Sequence, residues 1–246
     1  MEIHKPKLVA NWREFLKEYA IIVVGVLTAL FAEQAVQSIE WHYKVDAAIS
    51  DMNNELSSGD GPQAYQRLAI HDCVAQELGA LQAAVNEGDR SRSHVLIERL
   101  WVPNRTWDSL AREAANASDV AGHMPHLRML HYRIAYETIS PLQRLAEKEL
   151  ADLGHLRALP ATGGPLATDE KLAGLDAIQA LTIDNDTFAR ESRFLLIRMR
   201  LMHLGLDRNF VHSDIHEARE HYGRCLTGPR LPPFTPSQPL GSTILE

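Results

Sequence analysis

Tyr19-Ala20-Ile21-Ile22-Val23-Val24-Gly25-Val26-Leu27-Thr28-Ala29-Leu30-Phe31-Ala32 carries no charge. At about 1.5 Å per residue this run is shorter than a hydrocarbon core of about 30 Å. Alone it suits a buried helix or the core of a signal peptide. The flanks extend it: Phe15 and Leu16 precede the run, Ala35, Val36 and Ile39 follow, and Lys17, Glu18 and Glu33 are the charged interruptions. Lys17 can lay its stem along apolar surface and keep its ammonium among the headgroups. Trp12 and Trp41 bracket the segment, about 43 Å apart along a helix, which matches a bilayer with its interfaces. Cleavage by signal peptidase needs small residues at the third and first positions before the cut. Leu30 before Ala32 and Glu33 before Ala35 make poor sites. A retained membrane helix over residues 15–38 is therefore favoured over a cleaved signal or a buried soluble helix.

Lys and Arg set the orientation. Lys5, Lys7, Arg13 and Lys17 precede the span, whereas Lys44 is the sole basic residue between Phe31 and Arg67. Residues 1–14 are expected in the cytoplasm and residues 39–228 in the periplasm of a bacterial inner membrane. An oxidising compartment permits disulfides, so Cys73 and Cys225, which have no CxxC spacing, are either bridged or two buried thiols.

The stretch Trp12-Arg13-Glu14-Phe15-Leu16-Lys17-Glu18, followed by Val23-Val24-Gly25-Val26-Leu27-Thr28-Ala29-Leu30, resembles the opening of uncharacterised proteobacterial envelope proteins that carry a Gly-Val-Leu-x-Ala-Leu membrane helix. The resemblance covers about the first 45 residues and extends loosely to Trp107 and to Met124–Tyr136. It implies an anchored helical domain and adds no chemistry.

Beyond the span, apolar positions recur at helical spacing and no period-two pattern of useful length appears. The fold is expected to be all-α, an antiparallel helical bundle. Ile39, Tyr43, Ala47, Ile49, Met52 and Leu56 continue the membrane helix, and Gly59-Asp60-Gly61-Pro62 is expected to end it. Val74, Leu78, Leu81 and Val85 stripe the next helix, which the turn Asn86–Asp89 closes. A short helix stops near Pro103, and another should start near Asn104 or Thr106. From His126 to Leu156 the apolar face reads Leu127, Leu130, Ile134, Leu142, Leu145 and Leu153, with Pro141 expected to kink or divide the helix. Ala158 to Thr168 is a loop, and Thr168 a cap for the last helical region. There Phe188, Leu195, Met199, Met202 and Leu206 keep one face, and Asp184–Thr187 is a candidate break. Five prolines within residues 229–246 exclude helix from the tail, which should be extended.

The 12 histidines make metal binding worth testing. His212, His216 and Glu220, spaced by four, would align two imidazoles and a carboxylate on one helical face, a weak candidate metal set beside the plainer reading of a solvated face. His123, His126 and His131 straddle Pro125 in a similar way. No nucleophile elbow, phosphate loop or dinucleotide fingerprint is present, so neither catalysis nor a cofactor is expected. Pairs such as Glu147 and Glu149, or Glu191 beside Arg190 and Arg193, read as solvated faces. The net charge of −7 without a basic stripe argues against nucleic acid.

The span offers the clearest functional clue. Gly25, Ala29 and Ala32 allow another helix to approach closely, and Glu33 can hydrogen-bond there. The sequence therefore suggests a non-enzymatic anchored protein that contacts the lipid bilayer and assembles, through its span, with itself or with a larger membrane complex as an accessory subunit. The alternative is a periplasmic domain that binds or senses a ligand or metal.

Overall fold

A computed structural model describes residues 12–104, 106–223 and 225–226. The expected extended tail, 229–246, and the basic residues Lys5 and Lys7 lie outside the described residues. The chain divides into two compact units, Met1–Ala47 and Ala48–Glu246. Among the described residues every regular element is helical: α1 (Trp12–Glu55), α2 (Gly61–Glu87), α3 (Arg90–Arg99), α4 (Leu110–Ala117), α5 (Val120–His123), α6 (His126–Arg157), α7 (Thr168–Leu201) and α8 (Arg208–Tyr222).

In the first unit α1 is long and apolar enough to cross a membrane, and none of its most apolar 18-residue window is buried. In the second unit α2, α6, α7 and α8 build the bundle. Lys148 on α6 pairs with Asp184 on α7, and Leu159 just past α6 lies against Gly174 near the start of α7, so these helices run antiparallel. Helices α2 and α7 are antiparallel as well: Gly61 lies beside Met199, His71 bonds Asp186, and Gly88 lies beside Lys171. By contrast α8 follows the direction of α2, since Gln66 bonds Asp214 and Cys73 bonds Cys225.

The stripe Val74, Leu78, Leu81 and Val85 is buried as its spacing predicts, and it forms the centre of the core with Ile97, Leu153, Ile178 and Ala218. Gly88 closes α2 at φ 77°, the left-handed cap that glycine adopts without a Cβ penalty. Asp89 then caps α3 by accepting the Arg92 N–H. The loop after α6 is held by Arg90, which donates to the carbonyls of Gly164 and Pro160 and to the Glu170 carboxylate.

Several local expectations need correction. Gly59–Pro62 does not end the first helix. The backbone passes through a single π turn, Leu56–Asp60, straight into α2. Pro62 cannot donate a helix bond and its ring clashes with the carbonyl four residues back, and a wider turn relieves that conflict. Gly61 is αR, at φ −63°, and its N–H reaches Leu56 O. The Ser57 carbonyl, which a regular helix would offer to Gly61, instead accepts the N–H of Asp207 at 2.9 Å. Asp207 in turn caps α8, accepting from Asn209 and Phe210. Gly61 is needed for closeness, because a Cβ there would lie 2.5 Å from Leu206 Cδ2, 2.6 Å from Leu56 O and 2.7 Å from Met199 Cε.

The helix expected near Asn104 or Thr106 starts at Leu110. Thr106 C=O accepts from Gln63 and Asp108 N–H donates to Asp60, so their backbone groups serve α2 and the π turn, while Trp107 is buried against Phe188. Neither Pro141 nor Asp184–Thr187 divides a helix: α6 and α7 each run unbroken. Asp184 and Asn185 face inward and find tertiary partners in Lys148 and the His71 carbonyl. The early apolar face of α6 is also phased differently, because Leu127 is exposed while Tyr132, Tyr136 and Ile139 are buried. At the other end of the loop Thr168 is the first residue of α7, and Ala167 holds the cap position with its N–H on Glu170.

Gly61→Ala should overpack the junction and cost about 1–3 kcal/mol. Gly59→Ala, where a Cβ meets nothing within 4 Å, should be neutral or gain up to about 1 kcal/mol from helix propensity. Thermal unfolding of the two variants compares them directly.

Candidate functional site

Two acidic side chains flank the π turn and face inward. Glu55, the last residue of α1, accepts the Ala111 N–H at 2.8 Å through Oε2. Ala111 lies in the first turn of α4, whose N–H groups have no partner within the helix, so the carboxylate sits where a negative charge is stabilised. Asp60, the last residue of the π turn, is 1% exposed and accepts the Asp108 N–H through Oδ1. The Tyr136 hydroxyl of α6 faces both carboxyls. Arg112 lies over the Tyr136 ring at 5.9 Å, and one turn earlier Tyr132 donates to Asn53 Oδ1.

Burial pushes Asp60 up to about 8, assisted by the negative charges of Glu55 and Asp108 against the pull of the Asp108 N–H. Burial likewise holds the Tyr136 phenol protonated, with Glu55 and Asp60 adding to the effect. Burial thus favours the protonated form of Asp60 at neutral pH. A π turn beside a carboxyl of perturbed acidity is a common feature of functional sites. Holding a proton is the chemistry this arrangement offers.

A second polar group crosses the bundle about two turns further along α2. Arg67 pairs with Glu149 of α6, with side chains 4% and 2% exposed, and its guanidinium covers the Phe188 ring at 3.7 Å. Burial pushes the Glu149 carboxyl up, opposed by the adjacent Arg67 charge. Gln66, fully buried, donates to Asp214 O of α8 at 2.6 Å. A niche between Gln63, Gln66, Arg67, Pro103, Trp107 and Phe188 has room for about one water molecule.

The residues singled out in the sequence are dispersed. Cys73 and Cys225 are joined by a disulfide with Cα atoms 5.6 Å apart; Tyr222 beside it donates to Trp101 O and Trp101 stacks on His221 at 4.3 Å. His212, His216 and Glu220 share an exposed face of α8, with His216 Nδ1 3.6 Å from Glu220 Oε1. Among the described residues no three His, Cys, Asp or Glu side chains form a group that could hold a metal ion. His126 and His131 are exposed at the start of α6. In the first unit Gly25, Ala29, Ala32 and Glu33 are exposed, as is Trp12, and Glu33 accepts a 3.4 Å bond from Gln37. Trp41 is half-buried, with Lys44 over its ring at 4.9 Å.

Glu149 corrects the reading of Glu147 and Glu149 as one solvated face: Glu147 is exposed, Glu149 buried. The signal was present, since Glu149 shares a face with Leu142, Leu153 and Leu156, all buried. Glu55 and Asp60 carried no comparable mark. Compared with protein-family descriptions, curated proteins and solved structures, the chain matches none.

Asp60 binds its proton more tightly in the folded chain than in the unfolded one. Its stabilising contribution is thus complete below about pH 4 and lost as pH rises through about 8. Urea unfolding across that range should show a downward slope in the wild type that Asp60→Asn removes, since the amide keeps an acceptor for Asp108 N–H without a titrating charge. Arg67→Met should cost about 3–5 kcal/mol by stranding Glu149, whereas adding Glu149→Leu to it should recover much of the loss; a double-mutant cycle measures the difference.

Proposed function

We propose that this chain is a membrane-anchored, non-enzymatic structural or accessory protein, with its N-terminus in the cytoplasm and its helical bundle on the periplasmic side of a bacterial inner membrane. It assembles with itself or with a larger membrane complex. The observation that carries this reading is the α1 window: it is long and apolar enough to span, yet none of it is buried within the chain. A soluble protein would bury such a surface, and a bilayer satisfies it. Two further features support the reading. The basic residues lie before the apolar segment, and a disulfide joins distant parts of the bundle, which fits an oxidising compartment.

The alternative, a periplasmic ligand- or metal-sensing domain, has less behind it. The His212, His216 and Glu220 set is open to solvent, and the niche beside Arg67 is too small for a metabolite. The apolar window of α1 is uncovered within the described chain, and there Gly25, Ala29 and Ala32 allow close helix contact.

Gentle detergent extraction followed by sizing and mass spectrometry should find the chain in a species larger than one copy in its micelle. A Cβ at Gly25 meets nothing within 4 Å, so Gly25→Leu should leave the protomer folded and shift that species toward the monomer. A chain that runs alone in wild-type form would overturn the assembly reading.

A further inference from the structure

Seen along the helix, α1 carries one apolar stripe that outlasts the apolar segment. Gly25, Ala29, Ala32, Val36, Ile39 and Tyr43 follow one another at alternating intervals of four and three. This is the spacing of the seam in a left-handed helix pair. From Glu33 onward most positions off the stripe are polar, Glu33, Gln34, Gln37, Ser38, Glu40 and His42, with Ala35 and Trp41 the apolar exceptions. The stripe nevertheless continues: Val36 is 65% exposed, Ile39 59% and Tyr43 72%. Among the described residues no other element covers it. Lipid requires no such alternation within residues 15–38, and past them it provides no reason for Ile39 and Tyr43 to stay in line with Val36. A second helix does both.

The flanking residues fit a second copy of this helix. Glu33 and Glu40 fall on one side of the seam, and Thr28, Ala35 and His42 on the other. In a parallel, in-register pair each residue of the second set faces the first set of its neighbour five positions on. Thr28 then meets the partner's Glu33 and Ala35 meets the partner's Glu40, so the acids meet no like charge. In an antiparallel pair these acids would face their own kind. Two copies of one chain inserted by the same rule cross the bilayer in the same direction, which makes the parallel arrangement the available one. The small residues allow close backbone approach inside the membrane, and the larger ones interlock outside it. The next seam position, Asp46, is charged, so the contact ends at Tyr43.

Resting on the assembly reading above, we infer that the partner of this helix is a second copy of the same chain, joined through a parallel left-handed seam from Gly25 to Tyr43.

Single cysteines at Ile39 and Tyr43, and at Gln34 and Ser38 on the opposite face, test this in the full chain in its own membrane under mild oxidation. Ile39→Cys and Tyr43→Cys should each yield a reducible species of twice the chain mass, several-fold more than Gln34→Cys or Ser38→Cys. Equal yields on both faces, or a cross-linked species of any other mass, would overturn the inference. If neither seam position cross-links, mass spectrometry of the extracted wild type separates the two failures. Co-migration with a different protein removes the self-pairing and leaves the assembly reading standing; a lone chain removes both.

Discussion

Pro62 has no backbone N–H, and in a regular α-helix its ring would press on the carbonyl of Ser58. The chain accommodates this by widening one turn instead of stopping, and the organisation of the second unit depends on that local solution. The π turn frees the Ser57 carbonyl for Asp207, which sets the start of α8. It also places Glu55 and Asp60 where both can take backbone N–H groups from the segment entering α4. Gly61 completes the junction by leaving space for Met199 and Leu206. A proline, a glycine and two acids within eight residues thus connect four helices.

Polar groups inside the bundle follow the same economy. Burying a charge is costly, and three of the buried acids have a neutralising answer. Arg67 and Glu149 neutralise one another, Asp184 receives Lys148, and Asp60 keeps its proton. Such groups add little net stability relative to apolar replacements. They do restrict which helix register is tolerable, because a one-turn slip of α6 or α7 would separate these partners. The apolar stripe of α2 alone would permit several registers.

Cys73 and Cys225 are 152 positions apart in sequence. Closing so long a loop removes much of the freedom of the unfolded chain, worth roughly 5 kcal/mol in the chain-entropy model. The bridge holds the end of α8 against α2, where Tyr222 and Trp101 already exchange hydrogen bonds. The bridge thus stabilises the fold of the second unit, which holds both cysteines.

What the sequence determined by itself was everything governed by short-range periodicity and composition. That covers the helical class, the stripe of α2, the turn at Asn86–Asp89, the loop after α6, and an apolar segment followed by a helix that stays amphipathic. Tertiary structure decided what happens where local signals conflict with contacts distant in sequence. Gly59–Pro62 reads as a stop, but the π turn is stabilised by Asp207, Met199 and Leu206, about 140 residues away. Asn104 and Thr106 read as caps, yet the backbone nearby is claimed by Gln63 and Asp60. Asp184 and Asn185 read as a break until Lys148 and His71 supply partners. The candidate site divides in the same way. Small residues on one helix face are visible in one dimension, whereas the raised pKa of Asp60 arises from burial beside Glu55 and Asp108, and burial is a property of the folded chain.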